Sequence, residues 1–294
     1  MTDGQWELVE PTLPPIKSPG RIPKHPRRVI VDAFLCVVRS GCSWRQLPAD
    51  FPPWQTVYWQ FQQWERRRVT ERILEGLREQ VRIAEGREPE PSAGVLDSQS
   101  FKAADTVGRD NRGYDAGQRV NGRKGFVTDT LGLLVVACVM PASWQDREGA
   151  KATLLSTYLG SPIRHVFADL GFGKLVDWSA EILKTTLEIV RTPADQQGFV
   201  VHPKRWVVER SFAWLTAHRR LARDCERDPT VSEAFIRWVA INTTVRGLHQ
   251  GRPTARQARR TFNTSESQPS PALLSAGAGY VSGVVTPPPG PSGS

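Results

Sequence analysis

At 294 residues, with 39% hydrophobic and 23% charged, the chain has the composition of a folded protein with one large domain or two ordinary ones, which excludes a largely disordered one. Its 39 Lys and Arg against 30 Asp and Glu leave a net charge of +9, a surface potential that attracts a polyanion. No run of 18 apolar residues occurs and MTDGQWELVE lacks the basic and apolar regions of a signal peptide, so a cytoplasmic protein without membrane contact is expected.

Residues 1–25 hold five prolines and read as an extended lead-in carrying one short helix around Trp6 to Val9. From Arg27 the apolar residues Ile30, Ala33, Phe34, Val37 and Val38 recur at helical spacing, with Gly41 as the stop. Beyond SGCSWRQLP, helices are predicted over Gln55 to Glu65 and over Thr70 to about Ala84, so that 26–86 resembles a helix-turn-helix module. Trp54, Trp59 and Trp64 recur every five residues, which is no clean helical stripe and predicts two core positions and one exposed one.

The segment GREPEPS is a linker and the predicted domain boundary, after which strands are expected in GVLDSQS, GFVTDT and GLLVVACVMP. The last is nearly continuous apolar sequence, as for a strand covered on both faces. A helix over Arg147 to Tyr158, a strand in HVFADLGF, a helix over Leu175 to Leu183 and a strand in TLEIVRT follow. Strands in hairpin order and then alternating with helices describe a mixed α/β sheet with crossover helices over 87–250. Two more helical blocks, Arg205 to Glu226 and Ser232 to His249, precede a Pro-, Ser- and Gly-rich segment, 251–294, that reads as a disordered tail. Cys36, Cys42, Cys138 and Cys225 form no CxxC pair; they read as small buried hydrophobes rather than a zinc site or disulfide framework.

Three acids stand where a sheet-based nuclease would place them: Asp97 in a strand, Asp169 at the end of another and Glu209 inside the helix RWVVERSFAWL. Carboxylates are the ligands a hard divalent cation prefers, and a pair of such ions can serve in-line displacement at phosphorus. Singly each has a plainer reading: an Asp at a strand end is commonly a turn former or cap, and Glu209 with Arg205 is an i,i+4 ion pair. Glu209 lies among Trp206, Val207, Val208, Phe212 and Trp214, where an unpaired charge would be costly, so it needs a partner, a metal or both. Arginines and a lysine flank the acids at 109, 112, 119, 123, 124, 219, 220 and 223, either as a phosphate-binding surface or as a solvated face.

With the blocks SGCSWRQLP, VLDSQS, RGYDAGQRVNGRKG, DTLGLL, FADLGF and RWVVERSFAWLTAHRRL in that order, the chain from Trp6 to His249 resembles the DDE insertion-sequence transposases, specifically the large bacterial group numbered family five. The resemblance implies an RNase H-like catalytic domain with Asp97, Asp169 and Glu209 as catalytic and metal-binding residues. Two Mg2+ ions, replaceable by Mn2+, are the implied cofactor. The implied partners are double-stranded DNA, as transposon ends and target, and a second copy of the chain in a homodimer on DNA near the nucleoid. The implied reaction is hydrolysis at terminal inverted repeats and attack of the freed 3′-hydroxyl on target DNA; the alternative is an inactive remnant that only binds DNA. DNA contacts are assigned to Arg205, Arg123, Lys124, Arg119, Arg219, Arg220, Trp44 and Arg45. The chain departs from the family pattern at Phe172, Gly125, Phe126, His202 and Thr216, where Tyr, Arg, His, Tyr and Lys are common.

Overall fold

The computed structural model describes residues 1–15, 23–190 and 203–251; the side chains at 124–128, 203–206, 208 and 209 lie outside that description, as do His202 and the predicted tail from 252 onward. The first helix, α1 (Asp3–Val9), opens on a capping box: the Gln5 N–H donates to the Thr2 hydroxyl while the Gln5 side chain accepts from the Thr2 N–H. In α2 (Arg27–Ser40) the predicted apolar face is buried, and Gly41 ends it in a left-handed conformation, φ 71°, with its N–H donating to Val37 O. Helices α3 (Trp54–Arg66) and α4 (Val69–Ala84) begin and end within a residue or so of their predicted bounds. Trp59 is the exposed tryptophan of α3, at 54%, while Trp54 and Trp64 are half-buried.

Among the described residues one sheet has six strands: β1 (Ala93–Lys102), β2 (Gly113–Asp115), β3 (Val120–Asp129), β4 (Leu134–Pro141), β5 (His165–Ala168) and β6 (Thr186–Ile189). The order is β3, β1, β5, β6, with β2 and β4 both paired to β3. β1, β3 and β4 pair antiparallel, and β5 and β6 run parallel to β1. The crossovers carry α5 (Asp146–Gly160) and α6 (Val176–Leu183); then come α7 (Pro203–Thr216), α8 (Arg219–Ala222) and α9 (Pro229–His249). A meander followed by parallel crossovers is the RNase H-like order, here an α/β mixed sheet flanked by helices and preceded by a helical region. Among the described residues no helix is long and apolar enough to cross a membrane.

The sheet separates two cores. On one face Val95, Ala137 and Val139 pack in a cluster with Leu215 of α7, with Phe235, Trp238 and Ile241 of α9, and with Phe34, Phe61, Ile73 and Leu77 of α2 to α4. On the other, Leu96, Val166 and Ala168 pack with Leu154 of α5 and with Leu175 and Leu183 around α6. Residues on both sides of the GREPEPS segment therefore share the first cluster. A buried ion pair adds to it: Arg82 Nη1 of α4 donates to Asp129 Oδ2 at the end of β3, 2.8 Å away. Asp129 Oδ1 meanwhile accepts from the Leu131 and Leu133 N–H groups and closes the β3–β4 turn.

Two expectations are corrected here. Cys225 is exposed, in the turn after α8, and Cys36, Cys42 and Cys138 are half-buried, so the four free thiols are not a set of core hydrophobes. Arg123, expected to face DNA, is fully buried, enclosed by Asn111 and by the segment from Asp224 to Ser232. Its Nη1 donates to Asp224 Oδ2 and Ser232 Oγ, both at 2.9 Å, and its Nε to Asn111 O at 2.7 Å. Removing the cation would leave Asp224 buried and unneutralised. Arg123→Met is expected to lower the free energy of unfolding by about 3–5 kcal/mol in urea titration, and Arg123→Met with Asp224→Leu to recover most of the loss.

Candidate active site

Asp97 and Asp169 are brought together by the register of two neighbouring strands. In the parallel pair β1 and β5, Ala93 lies opposite His165, Gly94 opposite Val166 and Val95 opposite Phe167, and continuing this offset sets position 97 opposite position 169. Side chains alternate along a strand, so Asp97 shares the side of Val95, and Asp169 that of Phe167. Val95 belongs to the cluster beneath α7 and α9 and Phe167 packs against it, which turns the two acids toward α7.

The backbone around each acid departs from regular strand. β1 pairs Asp97 with Phe126 and Ser100 with Lys124, so Ser98 and Gln99 stand against Gly125 alone. This bulge, directly after Asp97, bends the strand end and brings Ser98 and Gln99 to the cleft wall as well. One oxygen of each carboxylate is held by nearby backbone: Asp97 Oδ1 accepts from the Ser98 N–H at 2.8 Å, and Asp169 Oδ1 from the Gly171 N–H at 2.9 Å. Asp169 so caps the 3-10 turn Leu170–Leu175, which is the capping role that an Asp at a strand end commonly fills.

The acids open on a cleft of about 550 Å³ lined also by Gln118, Asp146, Phe172 and, from α7, Phe212, Ala213 and Thr216. Asp146, at the start of α5, accepts from the Ser98 hydroxyl at 3.3 Å, which links a further carboxylate to the Asp97 turn. Gln118 comes from the segment between β2 and β3; its Oε1 accepts from the Ser100 N–H at 3.0 Å, and this turns the donor end of the amide away from β1. Neither Asp146 nor Gln118 was singled out from sequence. Each lies in a turn or helix start away from the acids in the chain and is joined to the end of β1, Asp146 through Ser98 and Gln118 through Ser100.

Glu209 lies on α7, which packs on β1. Its side chain is outside the described residues, but its place on the helix is not: position 209 stands three, four and seven residues before the cleft-lining Phe212, Ala213 and Thr216, and so shares their face. The helix is anchored beside it. Arg210 Nη2 donates to Leu131 O at 2.6 Å and Ser211 Oγ to Gly132 O at 2.8 Å, where Gly132 turns with φ 85°. The DTLGLL block is thus the seat on which α7 rests.

At the other end of α7, His218 Nδ1 lies 3.1 Å from Trp214 O and Nε2 3.0 Å from the Asn242 amide nitrogen. This fits a neutral ring that donates to the carbonyl and accepts from the amide. Burial holds its pKa below the ordinary 6.5, despite the Trp214 carbonyl. The unfolded chain therefore takes up a proton first, and stability fully present above 6.5 is lost as pH falls from there through the depressed folded value. His218→Gln should flatten that part of the stability curve relative to the parent protein, as thermal melts across the acidic range would read.

Among the described residues no group of three or more His, Cys, Asp or Glu is close enough to hold a metal ion. The donor set that faces the cleft is all oxygen and amide, with no His or Cys, which suits a hard divalent cation; the third expected carboxylate is that of Glu209. Of the residues assigned to DNA, Arg45, Arg119 and Arg219 are exposed. Arg220 is tied into the protein: it pairs with Glu226, donates to Cys42 O at 3.0 Å and lies 4.8 Å over the Phe235 ring. Trp44 packs among Phe34, Tyr58, Phe61 and Phe235 and serves the core. The side chains of Lys124 and Arg205 lie outside the described residues.

Comparison with known proteins places the chain among transposases. A family model described as "Transposase DDE domain" matches residues 88–244, more than half of the chain, and one described as "Putative transposase of IS4/5 family" matches residues 1–74. The insertion element IS402 uncharacterized 16.2 kDa protein of Burkholderia cepacia is 32% identical over 108 residues, covering 34% of this chain and 71% of that protein. The uncharacterized protein y4sN of Sinorhizobium fredii is 30% identical over 74 residues, covering 25% of this chain and 59% of its own length. No solved structure matches.

Proposed function

The chain belongs to the transposase DDE-domain family, and from that premise we propose that it binds terminal inverted repeats and carries out metal-dependent DNA strand cleavage and strand transfer, with Asp97, Asp169 and Glu209 as its catalytic acids. The observation that supports this reading is that Asp97 and Asp169, from the ends of the parallel neighbours β1 and β5, line one cleft with Phe212, Ala213 and Thr216 of α7. In the proposal, residues 87–250 form the catalytic domain and residues 26–86 bind DNA. The active assembly is a homodimer on paired ends, near the nucleoid.

Asp97, Asp169 and Glu209 would hold two Mg2+ ions, with Mn2+ as a substitute. When bound, such ions activate the attacking oxygen and stabilise the leaving one in an in-line displacement. The protein's own part is positioning. The backbone N–H groups of Ser98 and Gly171 fix the planes of the two aspartates, and the β3–β4 turn holds α7 through Arg210 and Ser211, so that the glutamate's helix cannot slide along the sheet. Gln118, in the cleft wall, offers an amide donor to a phosphate oxygen without adding charge beside the acids. The phosphate groups entering the cleft would meet exposed Arg119 and Arg219 outside it.

The test is cleavage of a duplex carrying the inverted repeats that flank the gene. Strand breaks that need Mg2+ or Mn2+ and vanish in EDTA are the expected result, and cutting that persists without a divalent ion would refute the metal assignment.

A further inference from the structure

The helical region offers three long helices to a partner, and their exposed faces differ in chemistry. α2 is buried along most of its length. α4, the third helix and the position from which a helix-turn-helix module reads DNA, exposes Glu75 and Glu79 with Arg72, a face that repels phosphate. α3 is different. Gln55, Trp59, Gln62 and Arg66 stand at i, i+4, i+7 and i+11, one stripe of the helix surface, with Trp59 more than half exposed. The acid of this helix, Glu65, lies off the stripe and is occupied by Arg237 and Thr70.

We infer that this stripe of α3, and not α4, is the surface that reads duplex DNA in the major groove. The inference rests on the proposed DNA-processing role and names which part of the chain recognises sequence. Charge and size support it. Cations stand at both ends of the stripe, Arg45 beside Trp54 at the start and Arg66 with Arg67 at the finish, while neutral amides occupy the middle. The 13 residues of α3 span about 18 Å at roughly 1.5 Å per residue, enough to lie along a groove about 12 Å wide with an arginine near each phosphate wall. Glutamine is the side chain that matches adenine through paired bonds to its N6 and N7. Gln62 is already oriented, since its Nε2 donates to the Tyr58 hydroxyl at 3.0 Å, and a flat exposed ring such as Trp59 offers an apolar contact to a thymine methyl.

The full-length protein, in EDTA so that no strand is cut, should enrich a sequence from a pool of randomised 30-base-pair duplexes. Fluorescence anisotropy with the selected duplex and a scrambled one then separates reading from general attraction. Gln55→Ala and Gln62→Ala should each weaken the selected duplex about tenfold and leave the scrambled one within about twofold. Arg66→Ala should weaken both and lower the salt slope by about one. Glu79→Gln on α4 should change neither preference. Enrichment of no sequence, equal losses on both duplexes, or a preference that follows α4 substitutions instead would overturn the assignment to α3. Thermal melts exclude misfolding as the cause, and because cleavage plays no part, the outcome is independent of whether the three acids cut.

Discussion

Asp97→Asn is expected to reduce metal-dependent strand cleavage by about a thousandfold or more while leaving duplex binding and folding intact. The carboxylate and its amide have nearly the same shape, and the Ser98 N–H that holds Oδ1 can donate equally to an amide oxygen, so the β1 bulge should survive. What is lost is a negative oxygen donor for a hard cation. Stabilisation by such ions amounts to several kcal/mol, and about 1.4 kcal/mol is worth a factor of ten in rate. Asp169→Asn should behave the same way on cleavage, with the Gly171 cap preserved. Gel analysis of end-labelled inverted-repeat duplex over a Mg2+ titration reads the rate. A variant at Asp97 that cuts within about tenfold of the parent would remove that residue from the reaction.

Glu209→Gln carries the second large effect, because the third acid comes from a helix and not from the sheet. Its position shares a face with Phe212, Ala213 and Thr216, which line the cleft, and α7 is pinned just after the glutamate by contacts of Arg210 and Ser211 that do not involve it. The substitution should therefore cost cleavage about as much as Asp97→Asn, about a thousandfold or more, with no change in melting temperature beyond a few degrees. The contrasting control is Asp146→Asn, whose carboxylate accepts from the Ser98 hydroxyl beside Asp97, and for which a smaller loss is expected. If the parent binds the repeats but neither it nor Glu209→Gln cuts, the chain acts as a sequence-specific binder and the catalytic reading falls.

Much of this arrangement was legible in the residues because it rests on local signals. The apolar period of Ile30 to Val38 with a glycine stop, the Val-rich run of β4 and the two acids at strand ends all announce themselves within a few residues. Elements whose causes are distant did not. β2 has three residues, too few for an alternation to show, and it is held by pairing with β3. The block read as one helix from Arg205 to Glu226 breaks at His218, which has extended backbone and packs by its ring against Asn242, with no Gly or Pro at the break. Arg123 looked like a surface cation among others because its buried partner, Asp224, lies 101 residues away. The packing of Trp44 and Arg220 is hidden for the same reason: their ring and backbone partners come from other helices and turns. Gln118 and Asp146 line the cleft through bonds to Ser100 and Ser98 at the end of β1, pairings that no local sequence pattern marks.

If Asp97, Asp169 and Glu209 meet around divalent ions, anomalous scattering from crystals grown with Mn2+ should show peaks in the cleft between β1, β5 and α7, in contact with all three carboxylates. Manganese bound elsewhere, or peaks that touch the two aspartates while the glutamate turns away from them, would contradict it.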